Sequence, residues 1–93
     1  MSTIRIPPVL RENVGGSRAV EVGGSTVAEA IEELFVRHPS LRDRITEDGK
    51  LSEFINVYVN ERDVRYRDGL DTPVGEGDTI ILLPAMAGGR GEG

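Results

Sequence analysis

Gly77-Asp78-Thr79-Ile80-Ile81-Leu82-Leu83-Pro84-Ala85-Met86-Ala87-Gly88-Gly89 is the stretch whose reading decides the fold. Residues 79–83 are mostly apolar at both parities, so a strand built from them has little to offer water on either face and belongs in the middle of a sheet. Pro84 has no N–H to donate and ends strand pairing. A run of small residues then closes on a diglycine. Glycines lack Cβ, so such a backbone can enter a slot too narrow for any other residue. The arrangement predicts a central strand opening directly into a tail suited to threading into another protein.

Upstream, Phe54-Ile55-Asn56-Val57-Tyr58-Val59-Asn60 alternates, with Ile55, Val57 and Val59 on one face and Phe54, Asn56, Tyr58 and Asn60 on the other. It predicts a strand, which Asn60-Glu61-Arg62-Asp63 turns back into another at Val64-Arg65-Tyr66. Thr26-Val27-Ala28-Glu29 has the form of a capping box, and Val27, Ala30, Ile31, Leu34 and Phe35 recur at helical spacing with Glu29, Glu32, Glu33 and Arg37 outward. Pro39 pushes His38 out of the α region and ends that helix. Residues 41–45 read as a short helical turn and 46–52 as a polar, glycine-punctuated loop. At the other end, Ile4, Ile6, Val9 and Leu10 suggest a strand over residues 3–10, limited on one side by Pro7-Pro8; Asn13-Val14-Gly15-Gly16 turns it into a second strand at 18–22. The order β, β, α, β, β, β, with a hairpin, a crossover helix and a last strand parallel to the first, is that of a β-grasp sheet. The expectation is therefore an α+β domain over residues 1–84, one main helix packed across a mixed sheet, with a flexible C-terminal tail over 85–93.

Ninety-three residues support one core and leave little room for a deep catalytic cleft. The net charge of −5 argues against nucleic acid as a partner and points to a basic partner surface. With no cysteine, the chain has no disulfide, no thiolate metal site and no thiol nucleophile. No apolar run has the length of a signal peptide or a membrane span, so no membrane partner is expected and the cytoplasm is the expected compartment.

Gly15-Gly16 and Gly23-Gly24 join elements and need only turn geometry, whereas Gly88-Gly89 follows the final strand; a functional tail and a frayed terminus both fit it. Gly75-Glu76-Gly77-Asp78 precedes a strand rather than a helix and lacks the Lys and Ser/Thr of a phosphate loop, so it reads as a turn, as does Asp68-Gly69. His38 is the single histidine and has no companions for a metal site. Arg62, Arg65 and Arg67 alternate with Glu61, Asp63 and Asp68 as a solvated face. No carboxylate is spaced to pair with a base or nucleophile, so the chain itself is expected to catalyse nothing and to bind neither metal nor cofactor.

From Thr3 to Gly89 the chain resembles the ubiquitin-like sulfur carriers of the ThiS/MoaD family, and within it the CysO-type branch that serves actinobacterial cysteine biosynthesis. The matching stretches are Thr3-Ile4-Arg5-Ile6-Pro7-Pro8-Val9-Leu10-Arg11, the capped helix from Thr26, residues 54–60, Val64-Arg65 and, most specifically, residues 77–89. The resemblance implies that an E1-like enzyme uses ATP to adenylate the C-terminal glycine, here Gly89, and that sulfur then displaces AMP to give a thiocarboxylate. It implies that Gly88 and Ala87 pass through the partner's channel, and that a pyridoxal-phosphate cysteine synthase of the CysM type and a zinc-dependent JAMM-type metallopeptidase act downstream. Arg90-Gly91-Glu92-Gly93 depart from the family pattern by following the diglycine. Five extended residues from Pro84 reach about 17 Å, and four more would carry the carboxylate roughly 13 Å further, so trimming between Gly89 and Arg90 is expected. Docking is expected on the sheet face beside the tail, through Phe54, Tyr58, Leu82, Pro84 and Met86. A molybdopterin synthase small subunit, a carrier shared among sulfur pathways, a ubiquitin-like modifier of lysines and a plain interaction module remain alternatives.

Overall fold

The computed structural model describes residues 1–84; the tail residues singled out above, Met86, Ala87, Gly88, Gly89 and Arg90, lie outside the described residues. Strands β1 (Ser2–Arg5), β2 (Ala19–Val22), β5 (Ile55–Val59), β6 (Arg62–Asp63) and β7 (Thr79–Pro84) form one sheet in the order β2-β1-β7-β5-β6. β7 is the middle strand, as its two apolar parities require. It runs parallel to β1, with Thr3 opposite Thr79 and Arg5 opposite Ile81, and antiparallel to β5, with Val57 opposite Leu82 and Ile55 opposite Pro84.

Helix α1 (Val27–Arg37) crosses one face of the sheet. Its N-cap works as the sequence suggests: Thr26 Oγ1 accepts from the Glu29 N–H at 3.2 Å. The Glu29 carboxylate reaches one residue further back than in a standard capping box, accepting from the backbone N–H and hydroxyl of Ser25 at 2.8 and 2.9 Å. Gly24 makes this start possible. Its φ is +106°, and a Cβ there would lie 2.8 Å from Glu29 Cβ. The five apolar positions expected to face inward, Val27, Ala30, Ile31, Leu34 and Phe35, are all buried. They pack on Ile4, Ile6, Val22, Val57, Val59, Ile80 and Leu82, a core of aliphatic side chains with a single phenylalanine.

Several sequence expectations are corrected. The first strand stops at Arg5 rather than continuing to residue 10, because Pro7 and Pro8 start a 3₁₀ helix, Pro8–Val14, which buries Leu10 and Val14 and ends at Gly15 with φ 68°. The β1–β2 pairing is therefore joined by a helical excursion and not by a tight turn. Helix α2 spans Pro39–Ile45 and buries Leu41 and Ile45; it starts earlier than expected because proline at the first helical turn gives up no hydrogen bond. Residues 46–52 contain a small hairpin, β3 (Thr46–Glu47) and β4 (Lys50–Leu51), turning on Asp48 and Gly49 at φ 54° and 78°. Val64–Tyr66 is 3₁₀ helix rather than strand, since the Asp63 carboxylate accepts from the Arg65 N–H at 2.8 Å and caps the turn.

β5 and β6 are joined by Asn60 and Glu61, both at positive φ (49° and 76°). Asparagine tolerates that region, but glutamate is strained in it. Glu61→Gly relieves left-handed strain of roughly 1–2 kcal/mol against an entropic cost of roughly 0.5–1 kcal/mol and should raise stability by up to about 1 kcal/mol, whereas Ile80→Ala should cost about 2–5 kcal/mol. Urea denaturation of the three proteins measures both.

Candidate functional site

The site is the C-terminal end of β7 and the sheet face beside it. β7 is fixed firmly at its start. The Thr79 N–H donates to Asn60 Oδ1 at 2.9 Å, the Asn60 N–H donates to the Thr79 carbonyl at 2.9 Å, and Asn60 Nδ2 donates to Asp78 Oδ1 at 2.8 Å. The other Asp78 oxygen accepts from the Gly75 N–H at 2.8 Å, which closes the turn read from the sequence. The Asn60 side chain, and after it the Gly75 N–H, hold the Asp78 carboxyl below its ordinary pKa.

At its other end β7 is released from one neighbour. The Thr3 N–H donates to the Asp78 carbonyl at 3.0 Å. Two residues on, register places the Arg5 N–H opposite the Ile80 carbonyl; two further on, residue 7 faces the Leu82 carbonyl and is proline. No hydrogen bond forms there. The Pro7 carbonyl is turned away, accepting from the Leu10 N–H at 3.0 Å, and Pro84 has no N–H to offer on the same side. Beyond the Leu82 N–H, which register sets on the Arg5 carbonyl, β7 thus pairs only with β5, and a groove of ≈ 220 Å³ lined by Arg5, Pro7, Pro8, Arg11 and Leu83 runs along the vacated edge. Arg11 is held in place by donating Nε to the Ile6 carbonyl at 3.1 Å. Whatever leaves β7 does so beside two arginines. The net charge of −5 is therefore a poor guide to this spot, where the local charge favours acidic rather than basic partner groups.

The sheet face away from α1 carries Ile81, Leu83, Asn56 and Tyr58. Leu83 is 43% exposed, and Phe54, at the mouth of β5, 54%. Pro84 is half-buried. Leu82 is a correction: it is 0% exposed, opposite Val57 in the core, so it offers nothing to a partner, and Ile81 and Leu83 take the outer positions instead. Alternation could not decide between them in the sequence because both parities of the strand are apolar. Arg65 is tied to Asp63, Nη2 to Oδ2 at 2.7 Å, while Arg62 and Arg67 are exposed. His38 caps the end of α1 through its backbone N–H on the Leu34 carbonyl at 2.9 Å. Among the described residues no three His, Cys, Asp or Glu side chains are grouped to hold a metal, and no helix is long and apolar enough to cross a membrane.

A mixed five-strand sheet grasping one long helix, with its middle strand running out beside an exposed apolar face, defines a ubiquitin-like β-grasp protein. The chain belongs to the ThiS family, whose profile matches residues 4–89. The sulfur carrier protein CysO of Mycobacterium tuberculosis (strain ATCC 25618 / H37Rv) is 39% identical over 90 residues, spanning 94% of this chain and 97% of that protein. Among solved structures, the Amycolatopsis orientalis BexX/CysO complex matches with a TM-score of 0.85 at 45% identity, covering 95% of this chain and 99% of that one. The small archaeal modifier protein 1 of Methanosarcina acetivorans also matches with a TM-score of 0.85, at 26% identity and 94% coverage of both chains. These relatives are named as carriers and modifiers, not as enzymes.

The lowered Asp78 pKa has a definite consequence. A carboxyl that ionises more readily folded than unfolded adds stability above its unfolded pKa of about 4 and loses it as pH falls through the folded value. Glu29, bonded to Ser25, and Asp63, bonded to Arg65, are lowered too and act in the same direction. Asp78→Asn should therefore reduce the difference between the urea midpoints at about pH 7 and pH 3, with the remaining slope carried by the other two.

Proposed function

We propose that this chain is a sulfur carrier whose C-terminal glycine, Gly89 after trimming, is adenylated by an E1-like enzyme, converted to a thiocarboxylate and used to build cysteine. The observation that carries the reading is the continuity of the site: β7 is fixed at Asn60 and Asp78, freed at Pro7 and Pro84, and followed within five residues by the diglycine on which the family match ends. The likeness to CysO supports the pathway.

The chemistry explains the design. A carboxylate is a poor electrophile because its oxygen leaves badly. Attack of the Gly89 carboxylate on the α-phosphorus of ATP expels pyrophosphate and gives an acyl-adenylate; a sulfur nucleophile then forms the C–S bond and expels AMP. Neither step requires an acid or base from the carrier. Its contribution is to place one carbonyl carbon in another protein's active site, with the folded domain providing orientation. Small side chains at Ala87 and Gly88 suit a narrow channel, while Arg90 and Glu92 would lose hydration inside it without evident partners. A cut between Gly89 and Arg90, by a JAMM-type metallopeptidase, therefore comes first. A cysteine synthase of the CysM type, through its pyridoxal phosphate, presents the activated serine derivative that the thiocarboxylate sulfur attacks. Docking uses Phe54, Tyr58, Leu83 and Pro84, with Met86 following them into the partner.

Likeness to a small archaeal modifier protein favours a second reading, attachment of Gly89 to lysines of other proteins. Both uses share the adenylate and diverge in the nucleophile. Incubating the chain ending at Gly89 with the E1-like enzyme, ATP and a sulfide source should give one sulfur-for-oxygen exchange by intact-mass spectrometry; a product mixture made only of higher-mass lysine conjugates overturns the carrier reading. Leu83→Asp should slow the exchange at least tenfold while leaving the urea midpoint nearly unchanged, since this side chain is exposed.

A further inference from the structure

We propose that the uncovered edge of β5 is a second docking site, which takes a short extended segment of a partner protein as an added strand. The proposal does not depend on the tail chemistry. In β5, the Asn60 N–H donates to Thr79, so the backbone groups of residues 56, 58 and 60 point to β7 and those of 55, 57 and 59 point the other way. On that far side β6 covers only Tyr58 and Val59. The chain then leaves the sheet for the 3₁₀ helix Val64–Tyr66, and the Val64 carbonyl is taken by the Arg67 N–H at 2.9 Å. The Ile55 N–H is satisfied by the Ser52 carbonyl at 3.0 Å. Two groups are left on this edge with no partner among the described residues: the Val57 N–H and the Ile55 carbonyl. They flank Asn56, one donor and one acceptor, the pair needed to bond one residue of an incoming strand.

A groove of ≈ 290 Å³ lies over this gap, walled by Leu51, Val64 and Leu70, with Glu53 and Arg65 also on its lining. Leu70 is 40% exposed. Arg65 uses Nε and Nη2 on Asp63, which leaves Nη1 for a guest. The fitting segment has an apolar side chain for the leucine-lined wall, a carboxylate toward Arg65 and a basic group toward Glu53. A second copy of this chain fits badly. Antiparallel pairing about Asn56 would bring the copy's own β6 against residues 53 and 54, because the gap is only three residues long.

Amide exchange by NMR on the full chain tests this, using two capped pentapeptides, Lys-Ser-Val-Ser-Glu and the same residues in reverse order. In the free protein the Val57 amide should exchange much faster than those of Asn56 and Tyr58. One of the peptides should slow it several-fold and shift resonances confined to residues 51–57 and 64–70. Leu70→Glu should abolish these effects, while Val36→Glu, on the exposed side of α1, should not. The proposal is overturned if neither peptide touches Val57. It is equally overturned if Val57 is already protected in the free chain, whether that protection vanishes on truncation after Pro84, which makes the tail the occupant, or rises with protein concentration, which makes it a second copy.

Discussion

The structure depends on β7 being held on both sides along its first half and on one side along its second. Ile80 and Leu82 enter the core while Asn60 and Asp78 fix the strand's start, so the strand cannot slide. Slippage by one residue would exchange Leu82 for Leu83 in the core and move every later residue to the opposite face. The proposed function also asks that the strand hand on to a tail free to leave the globule. Proline at 7 and at 84 meets this second need, because each removes a donor just where the β1–β7 ladder would otherwise continue.

This constraint suits so small a protein to the proposed role. With one helix packed on one face of a five-strand sheet, the other face needs no cover of its own, and exposed Leu83 and Phe54 there sit close to the exit. Arg5 and Arg11 add positive charge beside it within an acidic chain. In the proposed role, apolar area would supply affinity and the arginines orientation. Acidic groups concentrate elsewhere, on the outward side of α1 at Glu29, Glu32 and Glu33.

The parts of the fold legible in the sequence were those set by local rules. The capped helix, the central place of residues 79–83, the faces of β5 and the turn at Gly75 all follow from periodicity, capping or a missing polar face. The parts that were not legible depend on tertiary partners. Residues 6–10 carry strand-like apolar residues, but two prolines turn them into a helix that feeds Leu10 into the core. Val64-Arg65-Tyr66 alternates like a strand, yet the Asp63 cap draws it into a 3₁₀ turn. The outer face of β7 could not be assigned because its register with β5, not its composition, decides whether Leu82 or Leu83 is buried. Asn60, read only as a strand-end residue, proves to anchor the start of β7; an asparagine before a turn and an aspartate before a central strand gave no sign that they meet.

The claim at the centre is that this domain presents its C-terminal glycine from the arginine-flanked, apolar end of the sheet. A crystal structure of the chain ending at Gly89 bound to its E1-like partner with a non-hydrolysable ATP analogue tests it most directly. The account predicts Leu83 and Phe54 buried at the interface and the Gly89 carboxylate beside the α-phosphate. A complex held through the outward face of α1, with the sheet face left in water and Gly89 away from the nucleotide, would contradict it.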